Sequence, residues 1–126
     1  MTNFMIFEDG GLRKQPFSED VETLQGLVGG YIEHVMIPDL ADRGIDLWVN
    51  DEGKLIGLTP TIGLIHDDEL IDVLNGTVVF TRFGTEGETF GLTDEDCDFI
   101  KDYIRTLEMR LILYGGDIAL IPCMEL

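Results

Sequence analysis

The chain of 126 residues sets 25 acidic side chains against 8 basic ones, a formal charge of −17 with an isoelectric point near 4.1. Such a balance speaks against direct nucleic-acid binding, because phosphates would meet like charge and few cations are present to release counterions, and equally against docking on an anionic membrane. One α+β domain spanning residues 1–126 fits the length, and a domain of this size buries roughly two thirds of the extended chain's surface without metal or disulfide staples.

Cys97 and Cys123 form no CxxC pair and no regular framework, no apolar run approaches bilayer length, and no export segment is evident. The expectation is a protein of the host-cell cytoplasm with no membrane, metal or cofactor.

In chain order, Asn3 to Glu8 is an apolar run of β-favouring residues that Asp9-Gly10-Gly11 turns into Leu12 to Phe17, predicting a first hairpin or a strand with an extended arm. Arg13 and Lys14 are the only adjacent basic pair. They fit a solvated edge strand, where positive charge discourages edge-to-edge pairing, or a grip on an anionic ligand beside the Gly10-Gly11 amides. Val21, Leu24, Leu27 and Val28 recur at helical spacing and predict a short helix near 18–28, capped by Ser18 and stopped by Gly29-Gly30. Tyr31 to Ile37 then reads as a strand with Ile32, His34 and Met36 on one face. Residues 38–44 read as a polar loop anchored by Leu40.

A strand from Ile45 to Asn50 places Trp48 on one face with Asp46 and Asn50, and Asp51-Glu52-Gly53 predicts a three-residue hairpin returning through Leu58. Within 61–74, Leu70, Val73 and Leu74 predict a short helix capped by Asp67-Asp68-Glu69. Thr77 to Phe83 carries apolar groups on both faces and predicts a central strand, returned by Gly84–Glu88. Thr93-Asp94-Glu95-Asp96 has the pattern of a capping box, and Cys97, Ile100, Ile104, Leu107 and Leu111 extend the predicted long helix over 94–113. Phe99, Tyr103 and Met109 exceed what one helix face needs and point to burial on a second side, by the C-terminal segment or by another copy. Residues 114–126 read as a strand-like extension: an edge strand, a dimer strand or a lineage-specific addition. Together these elements predict an α+β fold with a mostly antiparallel or mixed sheet of about five to seven strands.

The strings Leu27-Val-Gly-Gly-Tyr-Ile-Glu33, Val49-Asn-Asp-Glu-Gly-Lys-Leu55 with Gly57-Leu58, Asp72-Val-Leu-Asn-Gly-Thr-Val-Val79 and Leu92-Thr-Asp-Glu95 resemble a family of small proteins from phages, plasmids and their bacterial hosts, catalogued as domain of unknown function 3846. The resemblance covers about residues 21–105. That family usually carries Asn-Arg after the proline following Gly-Leu; here Pro60 precedes Thr61-Ile62, so no role of that pair carries over. The resemblance implies kinship with mobile-element proteins and, by their occurrence, a role in counter-defence or host takeover.

Catalytic motifs are lacking: there is no HExxH, no phosphate-binding GxxxxGK[ST] and no nucleophile elbow. Three functional readings follow. The first is a non-enzymatic acidic protein that inhibits a basic host or defence protein by covering its nucleic-acid-binding surface, with Asp67, Asp68, Glu69, Asp94, Glu95 and Asp98 as contacts standing in for phosphates. The second is an oligomeric module binding a nucleotide-like molecule through Arg13, Lys14, Tyr31, Trp48 or Arg82. The third is a minor hydrolase built on His34, His66 and carboxylates. The expected partners are thus a basic protein and a second copy of the chain, with no direct nucleic acid.

Overall fold

The computed structural model describes residues 1–126. In chain order its elements are β1 (Asn3–Glu8), β2 (Gly11–Pro16), α1 (Val21–Val28), β3 (Ile32–Val35), α2 (Pro38–Ala41), β4 (Ile45–Asn50), β5 (Pro60–His66), β6 (Glu69–Asn75), β7 (Val78–Phe83), β8 (Thr89–Phe90), α3 (Asp94–Thr106), β9 (Glu108–Tyr114) and β10 (Asp117–Glu125). The fold is α+β, with its strands divided between a six-stranded sheet and a four-stranded sheet. No helix is long and apolar enough to cross a membrane.

The larger sheet runs β2-β1-β7-β4-β3 with β8 on β7, and every pairing in it is antiparallel. As the apolar pattern predicts, β7 is central, lying between β1 and β4. Alternation then sends side chains to two interiors. Met5, Phe7, Leu47, Val78 and Phe80 enter a large core shared with Ile62, Leu64 and Leu74 of the smaller sheet, Met124 of β10, and Cys97 and Ile100 of α3. Phe4, Ile6 and Val79 face the other way and pack against Leu24 and Val28 of α1. This helix begins with Asp20 rather than Ser18 at its N-cap position, and Gly29 ends it in the left-handed conformation at φ 82°, which glycine adopts without strain.

The smaller sheet runs β6-β5-β10-β9, with β10 parallel to β5 and antiparallel to β9. Several expectations change. First, the segment from 61 to 74 is a hairpin and not a helix. Asp67 and Asp68 both have positive φ, 50° and 68°, and join His66 to its paired partner Glu69 as the two central residues of a tight turn. Aspartate tolerates that conformation, so the acidic cluster that resembles a helix cap is a hairpin turn.

Second, α3 ends at Thr106, seven residues short of the predicted limit, because Leu107 turns extended and residues 108–114 pair with β10. Gly115-Gly116, both at positive φ, close that hairpin rather than a helix. Third, the strand-like tail lies inside the smaller sheet and not at its edge; the edges are β6 and β9. Fourth, residues 51–57 form a run of turns instead of a return strand, started by the Asn50 side chain accepting the Glu52 amide at 2.8 Å. This run carries the chain from one sheet to the other, so β4 finds its partners in β3 and β7. Residues 38–44, expected as loop, contain the one-turn helix α2 with Pro38 in its first turn and Leu40 buried.

Candidate functional site

Strand alternation on β3, β4 and β7 sets His34, Asp46, Trp48 and Thr81 on the sheet face that α1 covers further along. His34 and Trp48 are directly paired across β3 and β4, with their rings 5.1 Å apart and inclined by 56°. His34 Nε2 donates to the Asp46 carboxylate at 2.7 Å. The Trp48 indole N–H donates to Thr81 Oγ1 at 2.8 Å, which fixes the ring against the sheet. His34, Asp46 and Trp48 line an open groove of about 490 Å³ whose other walls include Met36, Ala41, Phe83 and Thr89. An aromatic wall beside a polar histidine–aspartate pair is suited to holding a flat ring by stacking and one or two hydrogen bonds.

A second depression, of about 650 Å³, lies where α1 and the β1–β2 turn face β9 and β10. Leu27, Ile104, Met109, Leu120 and Pro122 make it largely apolar, with Glu8 and Thr77 among its polar groups. The Thr77 hydroxyl donates to Glu8 at 2.8 Å and, with Arg13, holds that carboxyl below its ordinary range against the opposing effect of burial. Glu8 is thus committed within the chain.

Most of the cations follow the same rule. Arg13 faces Glu8 at 3.2 Å, Lys14 faces Asp94 at 3.7 Å, and Lys54 pairs with Asp72. Arg105 faces Asp102, and Arg110 bonds both Asp68 at 2.7 Å and Glu108 at 3.0 Å. Arg43 lies over the Phe99 ring at 4.2 Å. The tightest arrangement surrounds Asp96, the one buried carboxylate. Arg82 grips it twice, at 2.9 and 2.6 Å, while its remaining reach goes to the Arg43 carbonyl. Gly44, at φ +77°, leaves room for this guanidinium, since a Cβ there would stand 2.6 Å from Arg82 Nη1. Asp96 also accepts the Thr93 amide while Thr93 Oγ1 accepts the Asp96 amide, completing the predicted capping box. Burial raises the Asp96 pKa, but Arg82 and the Thr93 amide outweigh it and hold the carboxyl below the ordinary carboxylate value.

The five residues proposed to grip a ligand therefore do not converge. Trp48 lines the groove, Tyr31 is exposed elsewhere, and Arg13, Lys14 and Arg82 are spent on carboxylates. The six proposed contact acids divide into two places, the β5–β6 turn with Glu69 just beyond it and the first turns of α3, and no hydrogen bond or ion pair joins the two groups. Asp68 is held by Arg110 and Asp94 lies near Lys14, whereas Glu69, Glu95 and Asp98 are exposed with no cationic partner. His34 and His66 are in separate sheets; His66 Nδ1 meets the Leu126 carbonyl at 3.0 Å, and that bond, with Asp67 nearby, raises its pKa.

Sequence reasoning missed the pairing roles of Asp46, Thr81 and Asp96. The faces of β3 and β4 were readable, but which strand lies beside which was not.

Residues 1–108 match the family model described as Domain of unknown function (DUF3846). No curated protein and no solved structure matches the chain.

Proposed function

From the premise that the chain belongs to the family described as Domain of unknown function (DUF3846), we propose that it is a non-enzymatic binding protein of a phage or mobile element. It acts by covering a basic, nucleic-acid-binding surface of a host or defence protein. One observation carries this reading. Six of the eight cations face a carboxylate within the chain, Arg43 lies on an aromatic ring and Lys101 is the one exposed cation without a partner, so most of the 25 carboxylates are left without a cationic partner. A surface so arranged offers a basic partner attraction with little competing repulsion, and attraction of this kind weakens with salt.

The test is capture of partners from a bacterial lysate on the immobilised chain, followed by elution with rising sodium chloride. The expected result is a protein with a basic surface, released by moderate salt, whose nucleic-acid binding is abolished when the chain is added back. Changing Glu95→Gln and Asp98→Asn together with Asp94→Asn should weaken capture while the circular dichroism spectrum stays unchanged. Recovery of partners that salt does not release would overturn the reading.

The groove at Trp48 supports a second reading, a module that binds a small molecule with a flat ring, such as a nucleobase. Because no arginine or lysine lines that groove, recognition would come from stacking and from His34 with Asp46, not from a phosphate grip. Trp48 is the sole tryptophan, so its fluorescence during titration with nucleosides and nucleotides reports on this directly. Saturable quenching that is insensitive to salt would favour this reading over the first.

A further inference from the structure

Along β10, alternate residues Met124, Pro122, Leu120 and Ile118 share one sheet face, and β9 contributes Met109, Leu111 and Leu113 to it through register pairs. Met124 is fully buried in the large core. Pro122 is still buried, but four to six residues from Met124 on the same face burial stops: Leu120 is 59 % exposed and Ile118 66 %, and across the ladder Leu111 is 70 %, Leu113 80 % and Met109 48 %. The other face of β10 is covered at Ile121 and Cys123. The hairpin thus carries a core-type surface beyond the body that would bury it.

That surface bears no charge in a chain of −17, since residues 111–116 and 118–124 contain no acidic or basic side chain. We propose that it is the interface at which a second copy of this chain docks, face to face about a two-fold axis near the Leu111–Leu120 pair. Two features select that occupant. Copies carrying −17 each repel one another over most of their surfaces, and this uncharged face is where two of them can close with the least repulsion. The area also suffices: the five exposed side chains present on the order of 600 Å² per copy, at the upper end of what a monomer exposes in one patch, so closure removes about 1,200 Å² in total, the lower end of the range of specific interfaces. A two-fold arrangement is self-complementary by construction, Leu111 of each copy meeting its equivalent. The inference is independent of the partner proposed above, and its salt dependence is opposite, because screening the mutual repulsion favours self-association.

The test is the mass of the intact chain by multi-angle light scattering over a dilution series, at about 0.15 M and about 1 M salt. The expected species is twice the 14.1 kDa chain mass, more populated at the higher salt. The double variant Leu111→Glu/Leu113→Glu should halve that mass, and Leu55→Glu, which alters an exposed apolar residue outside the face, should not. Should the double variant misfold, Leu111→Cys serves instead: Cys97 and Cys123 are buried, so oxidised glutathione should link two copies through residue 111 alone. A chain that stays monomeric at high salt, or a dimer that Leu111→Glu/Leu113→Glu leaves intact, would overturn the proposal. So would a monomer that floats with phosphatidylcholine vesicles through this face, which would make a lipid surface its occupant.

Discussion

The outer side of α3 and the outer side of the β9–β10 hairpin follow one another directly in the chain yet meet solvent in opposite ways. On α3, Asp94, Glu95, Asp98 and Asp102 face water, and the helix holds its place through Cys97, Ile100 and the buried Asp96 beneath. On the hairpin, leucine and isoleucine face water, and the same sheet face becomes core only near Met124. Charge on a surface whose interior contacts are complete reads as solubility or as attraction for a basic partner. Apolar surface continuous with a core has a different meaning, since burying it would continue the packing already under way.

The strongest challenge to this contrast is a pair of truncations on one strand face. Met124→Ala should cost about 3 kcal/mol by leaving a cavity in the core. Leu120→Ala should change the stability of the dilute chain by under about 0.5 kcal/mol. Urea denaturation of both variants at low protein concentration checks this, and equal losses would mean that the outer half of the hairpin is buried after all.

Next in size is the anchor of α3. Asp96→Asn should cost about 2 kcal/mol, because it strands the Arg82 guanidinium and weakens the capping box together. The sign of the accompanying pH effect follows from the lowered pKa of Asp96. The unfolded chain takes up this proton first as pH falls, so the contribution is complete above the ordinary aspartate range and disappears as pH drops through the lower native value. Urea midpoints followed from about pH 6 to about pH 2 should therefore show the wild-type advantage over Asp96→Asn vanishing in acid.

The smallest effects belong to exposed acids. Asp67→Gly should stabilise the chain by about 0.5 kcal/mol, since glycine adopts φ near 50° without the aspartate's strain. Asp94→Asn should cost about 0.5 kcal/mol by removing a negative charge from the helix N-terminus. Thermal melts resolve both, and a large loss from either would mean that these acids support the fold rather than a partner.

What could be read from the chain alone follows the range of the forces involved. The first hairpin, the stop of α1 at Gly29, the central strand β7 and the capping box at Thr93 are settled within a few residues, and the sequence pattern locates them. Asp67-Asp68 misleads because aspartate serves both helix starts and left-handed turns; only the pairing of His66 with Glu69 decides between them. The helical stripe through Leu107 and Leu111 is overruled by β10, which offers residues 108–114 a ladder of backbone hydrogen bonds. The candidate site divides along the same line. The shared face of Asp46 and Trp48 was legible, whereas Arg82 with Asp96 and Arg110 with Asp68 join different elements and leave no local signature.

The parallel pairing of β10 with β5 sets an order on assembly. The β9–β10 hairpin joins the sheet through β10 alone, whose Cys123 pairs with Gly63 about half the chain earlier. On a translating ribosome β5 and β6 can form their hairpin early, but one flank of β5 stays open until β10 emerges. Non-local closure of this kind is slow, and it makes the interval between synthesis of β5 and arrival of β10 the period when nascent chains are most exposed to cross-pairing and to chaperone capture.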